Sequence, residues 1–378
     1  MIYFDNAATT FPKPLSVSQM LTKASMQYGG NPGRGGHSFS VLAGEQIYRT
    51  REAAASFFHT VPERVIFTNN CTTALNIAIK GLIKENGHIV ISDLEHNAVY
   101  RPVHKLSQEG IAEYTIAKTY DDDDQKTVRS FSDAIREDTC LVVCTHASNV
   151  SGHVLPVSDI GALCRRRKIP FVIDAAQSAG VVPIDFSRTG ACAVCVPGHK
   201  GLYGPAGTGM LLLYDDRLLQ TMIEGGTGSV SSEAEMPDFY PDRLEAGTLN
   251  TSGVLALAKG IRFVRKNTPA RLFSHEESLC RFVREHFSRM PHVFVCPQGK
   301  NHVPIISFSV LSKHSEQTAA ALNRMGFALR GGLHCAPLAH THYGTMENGL
   351  VRFAPSAFNT LDECRWLVNA VYQYQKGK

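Results

Sequence analysis

Short apolar runs recur along the first two thirds of the chain, each followed by a polar or helix-patterned stretch. They span 65–68, 88–92, 113–117, 140–145, 171–174, 193–196 and 209–214. Several are apolar at consecutive positions, the mark of strands covered on both faces and hence of a mostly parallel sheet. Helical patterns lie between many of them, such as 73–84 with Leu75, Ala78, Ile79, Leu82 and Ile83 on one side. This alternation predicts α/β architecture. After Asn250 the pattern changes. Helices are expected over 254–265, 274–289, 316–325 and 361–375, and strands over 304–310 and 349–353. This part reads as a smaller α+β unit, with the boundary near residue 255.

Composition narrows the class. Of 378 residues, 43% are hydrophobic and 19% charged, an ordinary globular mix that excludes a disordered, collagenous or coiled-coil chain. The net charge, 38 − 34 = +4 with His neutral, is spread too thinly to imply nucleic acid. The runs 165–168 and 121–124 read as solvated surface. Met1-Ile2-Tyr3-Phe4-Asp5 offers neither a basic leader nor an apolar signal core, and no stretch reaches the roughly 18 uninterrupted apolar residues of a membrane span. A soluble, cytoplasmic protein is expected, with its ten cysteines as thiols. Cys192 and Cys195 make the one C-x-x-C, but inside an apolar run, so core packing is expected there and no metal site.

In an α/β sheet, ligands gather beyond the carboxyl ends of the strands. The residues that follow the runs are Asn69 to Thr73, Asp93 to Asn97, His146 to Gly152, Asp174 to Gln177 and Pro197 to Pro205. Neither G-x-x-x-x-G-K-[ST] nor a helix-opening G-x-G-x-x-G occurs, which argues against nucleotide binding by those routes. Thr72 and Thr73 either cap a helix or hold an anion on its first N–H groups. Asp174 either caps a turn or offers a buried carboxylate to a cationic ring. Lys200, flanked by His199 and glycines at a strand exit, is either a surface lysine or a Schiff-base nucleophile.

Together these pieces resemble a family. His199-Lys200 followed by Tyr203-Gly204-Pro205, with Asp174-Ala-Ala-Gln177 upstream, is similar to the pyridoxal-phosphate site of class V aminotransferase-type enzymes. More narrowly it resembles the cysteine desulfurases and selenocysteine lyases. The likeness runs from Tyr3-Phe-Asp-Asn-Ala-Ala-Thr9 through Glu95-His96, Ser148-Asn149-Val150, Glu245-Ala-Gly-Thr248-Leu-Asn250 and Arg330-Gly-Gly-Leu-His-Cys335-Ala336 to Arg352. It implies the fold type I architecture of pyridoxal-phosphate enzymes. A large domain with a mostly parallel seven-stranded sheet would span 15–255. A smaller α+β domain would comprise 1–14 plus 256–378.

The resemblance also implies roles. Lys200 would form the imine with pyridoxal 5'-phosphate, and Asp174 would keep the ring nitrogen protonated so that the ring acts as an electron sink. Gln177 would donate to the ring 3'-oxygen and His96 would stack on the ring. Thr72, Thr73 and His199 would hold the phosphate, with Thr248 supplied from the partner of a homodimer. Asn149 would position cofactor and substrate. Arg352 would grip the substrate carboxylate by a bidentate pair, with Arg330 beside it.

Cys335 separates the reaction classes. Transaminases need no thiol, whereas a desulfurase needs a thiolate to attack the substrate sulfur. Cys335 lies among Gly331, Gly332, His334 and Pro337, a loop composition, and Arg330 and His334 are placed to favour its thiolate. The expected activity is that of a cysteine desulfurase: L-cysteine gives L-alanine, and the sulfur passes to Cys335 as a persulfide and then to an acceptor thiol, carried by a small molecule or a protein. The alternatives are a selenocysteine lyase, another class V lyase or aminotransferase with Cys335 incidental, and a cofactor-loaded regulator without turnover. Two departures from the family pattern stand out. Pro197 occupies the place of a serine before Gly-His-Lys, and Gly201 is an extra residue after the lysine.

Overall fold

The computed structural model describes residues 1–33, 36–311 and 313–376. All seven apolar runs become strands of one sheet, in the order Val65–Thr68, Gly209–Leu213, Ala193–Pro197, Phe171–Asp174, Thr139–Thr145, Gly87–Ser92, Ala112–Ala117. The last five in that order are mutually parallel. Gly209–Leu213 runs antiparallel to both its neighbours. The sheet is thus mostly parallel, as the consecutive apolar positions require.

Alternate residues of the inner strands feed opposite cores, which is why those runs show no polar face, while the edge strand Ala112–Ala117 leaves Glu113 and Ile116 exposed. Val90, Val142, Cys144, Ile173, Val194 and Val196 pack on one side with Ala54, Ala55 and Phe58 of helix Ser38–Phe58 and Ile160, Leu163 and Cys164 of helix Val157–Arg167. Ile89, Ile91, Leu141, Val143, Val172 and Cys195 pack on the other with helices Cys71–Leu82 and Asn97–Gln108. Full burial of each such aliphatic side chain contributes about 1.5–3 kcal/mol, so the two faces dominate the stability of this region. Cys192 and Cys195 are buried in this packing, and among the described residues no cluster suits a metal ion.

Beyond the sheet, helix Thr251–Asn267 packs its Val254, Leu255, Leu257 and Ile261 into the first of these cores. The boundary placed near residue 255 falls inside it. The chain then builds an antiparallel sheet in the order Arg330–Gly332, Leu350–Phe353, Ile306–Val310, Val293–Val295. A separate core joins Phe4, Leu279, Val283, Phe287, Phe308, Leu322, Phe353 and Leu367. Phe4 belongs there because the first residues pair with this part of the chain: Ile2–Tyr3 runs parallel to Phe327–Ala328, and Asp5 bridges to Ala354. Helix Leu361–Gln375 opens with a capping box of Thr360 and Glu363, which satisfies two otherwise orphaned N–H groups. Among the described residues no helix is long and apolar enough to cross a membrane.

Candidate active site

Strands Val65–Thr68, Gly87–Ser92, Thr139–Thr145, Phe171–Asp174 and Ala193–Pro197 send their exits to one cleft of about 230 Å³. Thr72, His96, Asn149, Asp174, Gln177, His199, Lys200, Arg330 and Arg352 all line it. Residues scattered over the sequence are thus gathered by topology alone. Thr73 is not among the lining residues. Cys335 stands at its rim beside Arg330. Thr248 lies elsewhere: it is exposed on a loop that lines a separate pocket with Arg51 and Glu245.

Lys200 follows strand Ala193–Pro197 on a tight segment. A side chain at Gly198 would meet Thr208 Oγ1 at 2.1 Å, and one at Gly201 would meet the Ala179 carbonyl at 2.4 Å. The extra glycine after the lysine therefore reflects a close backbone approach. The Lys200 ammonium makes no hydrogen bond among the described residues, and burial, then the Arg352 charge, lowers its pKa. Asp174 ends its strand almost fully buried; its Oδ1 accepts from Ala176 N at 2.8 Å and from the Cys71 thiol at 3.6 Å. Burial pushes its pKa up. It lacks a hydrogen-bonded cation among the described residues.

His96 caps helix Asn97–Gln108, its Nδ1 accepting from Ala98 N at 3.0 Å, which fixes the tautomer with the proton on Nε2. Burial and the nearby Lys200 push it down to about 4, so the ring is neutral. His199 is likewise pushed down to about 4 by burial, and its Nδ1 is buried without a partner. Gln177 Nε2 donates to the Ala7 carbonyl at 3.0 Å. The start of helix Cys71–Leu82 is capped by Asn70, whose Oδ1 accepts from Thr73 N at 2.8 Å and from Thr73 Oγ1 at 3.2 Å. Neither threonine is the cap. The Thr72 hydroxyl has no partner among the described residues, and the N–H groups of Cys71 and Thr72 stay open while those of Thr73 and Ala74 are held by Asn70.

Arg352 is fully buried, with Nη2 on Asp5 Oδ1 at 2.9 Å and Nη1 on the Asn149 carbonyl at 3.1 Å, while Nε has no partner. Asn149 Nδ2 in turn donates to the His334 carbonyl at 2.7 Å. Arg330 Nη2 donates to Cys335 Sγ at 3.5 Å. The His334 ring turns away from the thiol, its Nε2 bonded to the Leu350 carbonyl, so the guanidinium is the group that reaches the sulfur. His334 and Cys335 both occupy the left-handed region, with φ of +50° and +57°. Such positions cost non-glycine residues about 1–3 kcal/mol each. Of the ten thiols, nine are buried and Cys335 alone is exposed.

Three further groups carry little signal in the sequence. Asp5 holds Arg352. Lys13, between two prolines, reaches Thr10 Oγ1 at 2.6 Å and the His199 carbonyl at 2.8 Å, and burial pushes it down to about 8. Arg51 pairs with Glu245 in a buried bidentate contact, while Glu245 also accepts from Phe67 N at 2.6 Å. This clamp sets the start of the Thr248 loop. The motifs Tyr3 to Thr9 and Glu245 to Asn250 flagged two of these segments, but only the fold shows what they touch.

A small planar anion with a cationic ring fits this set. The open helix start, the partnerless His199 Nδ1 and Thr72 suit a phosphate. The buried Asp174 suits a protonated ring nitrogen, and the partnerless Arg352 Nε suits a carboxylate.

The family model for Aminotransferase class-V matches residues 2–367. A probable cysteine desulfurase from Methanothermobacter thermautotrophicus is 31% identical over 97% of this chain and 92% of that protein. Another from Pyrococcus abyssi is 28% identical over 100% of this chain and 95% of that one. Among solved structures, the apo structure of a cysteine desulfurase from Thermococcus onnurineus NA1 matches with a TM-score of 0.91 at 28% identity, covering 100% of this chain and 95% of that one.

Proposed function

This chain belongs to the class V aminotransferase family, and from that membership we propose that it is a cysteine desulfurase which binds pyridoxal 5'-phosphate in the Lys200 cleft and converts L-cysteine to L-alanine. One juxtaposition carries the reading: a buried lysine and carboxylate share a cleft at whose rim stands the one exposed thiol, with the Arg330 guanidinium on its sulfur.

When bound, the cofactor supplies an electron sink for the pair released from the substrate Cα–H bond. Lys200 would hold it through its amine until the substrate amine takes that place, and the freed amine, whose proton affinity is reduced by burial and by Arg352, would then take the Cα proton. Asp174 would keep the ring nitrogen protonated, and neutral His96 would pack against the ring. Gln177 and Asn149 orient it. Thr72 and His199 would hold the phosphate, whereas Thr73 has its N–H and hydroxyl on Asn70 and does not line the cleft. Arg352 takes the substrate carboxylate, with Arg330 beside it. Cys335, as thiolate, would attack the substrate sulfur: its S–S bond forms while the Cβ–S bond breaks with the electron pair left on carbon, Cβ takes one proton, and the proton held by Lys200 returns to Cα to give L-alanine. The sulfur leaves Cys335 for an external thiol. Pro197 lines the same cleft where relatives of this type place a hydroxyl, so the phosphate has one side-chain donor fewer.

We further infer a homodimer in which Thr248 completes the phosphate site of the partner. Thr248 lies outside its own cleft on a clamped, exposed loop, and Phe39, Val41, Leu42 and Ile223 leave apolar surface uncovered on the described chain.

Borohydride reduction after incubation with pyridoxal 5'-phosphate, followed by peptide mapping, tests the core of the reading. Label on Lys200, with equal alanine and sulfide from L-cysteine, is expected. A colourless protein unlabelled at Lys200 overturns it. A sharp preference for selenocysteine would move the assignment to selenocysteine lyase.

A further inference from the structure

Glu95 precedes His96 and is completely buried. Its Oε1 collects three donors: Ser92 Oγ at 2.5 Å, Ser92 N at 3.4 Å and Thr145 N at 2.7 Å. Its Oε2 is buried with no partner among the described residues. Ser92 and Thr145 are the last residues of adjacent parallel strands, and Thr145 stands opposite Asp174 on the next strand. One carboxyl thus ties the strand exit that leads to His96 to the strand that runs beside the one ending in Asp174.

The arrangement also constrains the charge on that carboxyl. An ionised carboxylate would leave one buried oxygen without any donor, which is costly. It would also face the Asp174 carboxylate and the buried Cys144 thiol, with no cation bonded to it. A neutral acid removes the charge, so the lone Oε2 costs only what an unpaired polar group costs and the repulsion from Asp174 is gone.

We propose that Glu95 is a positioning residue that works as a neutral acid, spacing His96 from Asp174 without placing a second negative charge behind the ring-facing carboxylate. The proposal rests on the reading above for what His96 and Asp174 face. Burial pushing Glu95 up to about 8 agrees with it.

The test compares Glu95→Gln, Glu95→Ala and wild type. Glutamine keeps the Oε1 acceptor and puts an uncharged group in place of Oε2. Glu95→Gln is therefore expected to keep the affinity for pyridoxal 5'-phosphate within about twofold, whereas Glu95→Ala loses about tenfold or more, with a much smaller change in KM for L-cysteine. Thermal melting of the cofactor-free chain gives a second readout. A native carboxyl that holds its proton up to about 8, against 4.5 when unfolded, makes wild type lose stability as pH rises between those values. Glutamine carries no such loss, so the lead of Glu95→Gln over wild type should grow by about 3 °C or more from pH 5 to pH 8.5. Glu95→Gln weakening cofactor binding as much as Glu95→Ala, or a lead that stays constant with pH, overturns the proposal. If Glu95→Ala does not fold, the melting comparison still decides. A wild type that takes up no cofactor would overturn the reading of function instead, and the melting comparison would still judge the neutral acid.

Discussion

The backbone N–H of Asn97 donates to the Cys335 carbonyl at 2.7 Å. The residue that carries the exposed thiol is thereby stitched to the first turn of the helix that His96 caps. A second stitch, from Asn149 Nδ2 to the His334 carbonyl, holds the preceding residue. The two bonds offset the strain of consecutive left-handed residues and set the thiol at a fixed place on the rim.

Cys335→Ala should remove sulfide and persulfide formation by about 100-fold or more while leaving cofactor absorbance intact, since no cofactor ligand is touched. Parallel assays of sulfide, alanine and the visible band check it. Full turnover in the variant would make Cys335 incidental and restore a different class V lyase.

Arg330→Met should slow alkylation of Cys335 by iodoacetamide at pH 7 about three- to tenfold. The guanidinium that contacts Sγ at 3.5 Å stabilises the anionic sulfur, and a thioether does not. Arg330→Lys should fall between. Rates are read by mass spectrometry of the labelled peptide, and an unchanged rate would show that the contact does not act on reactivity.

Arg51→Met should destabilise the chain by about 3–5 kcal/mol, because it strands the buried Glu245 carboxylate. Pairing it with Glu245→Leu should recover much of the loss. Urea unfolding of both variants measures the coupling. An additive loss would mean the clamp is not an energetic unit.

Stability should peak between about pH 6 and 7. Burial pushes His96, His146 and His199 down to about 4, so between there and 6.5 the unfolded chain binds more protons and stability falls as the solution is acidified. Burial pushes Glu95 and Glu276 up to about 8, so between 4.5 and there the native chain binds more protons and stability falls as pH rises. A thermal midpoint that climbs steadily from pH 6 to 8 would contradict this balance.

The central sheet was legible because strands covered on both faces carry apolar residues at successive positions, as in 140–145, and no surface pattern competes with that signal. Lys200, Asp174 and His96 were legible because they stand where such strands end. Helix 73–84 proved to be Cys71–Leu82, since Asn70 caps it early. What stayed hidden depends on contacts between distant residues. Lys13 meets the His199 carbonyl from 186 positions away, and Asp5 meets Arg352 from 347. No local pattern encodes either partner. The partnerless oxygen of Glu95 is hidden for the same reason: in sequence it is only an acid before a histidine.

The distribution of thiols has a bearing on cargo safety. On the proposed reading, a sulfur atom carried by Cys335 would find no second accessible cysteine on the described chain to hop to or to close a ring with, so it would stay until a visitor removed it. The same isolation makes the native polypeptide a ready substrate for single-point labelling, with a dye or spin probe installed at the rim without deleting any of the other nine.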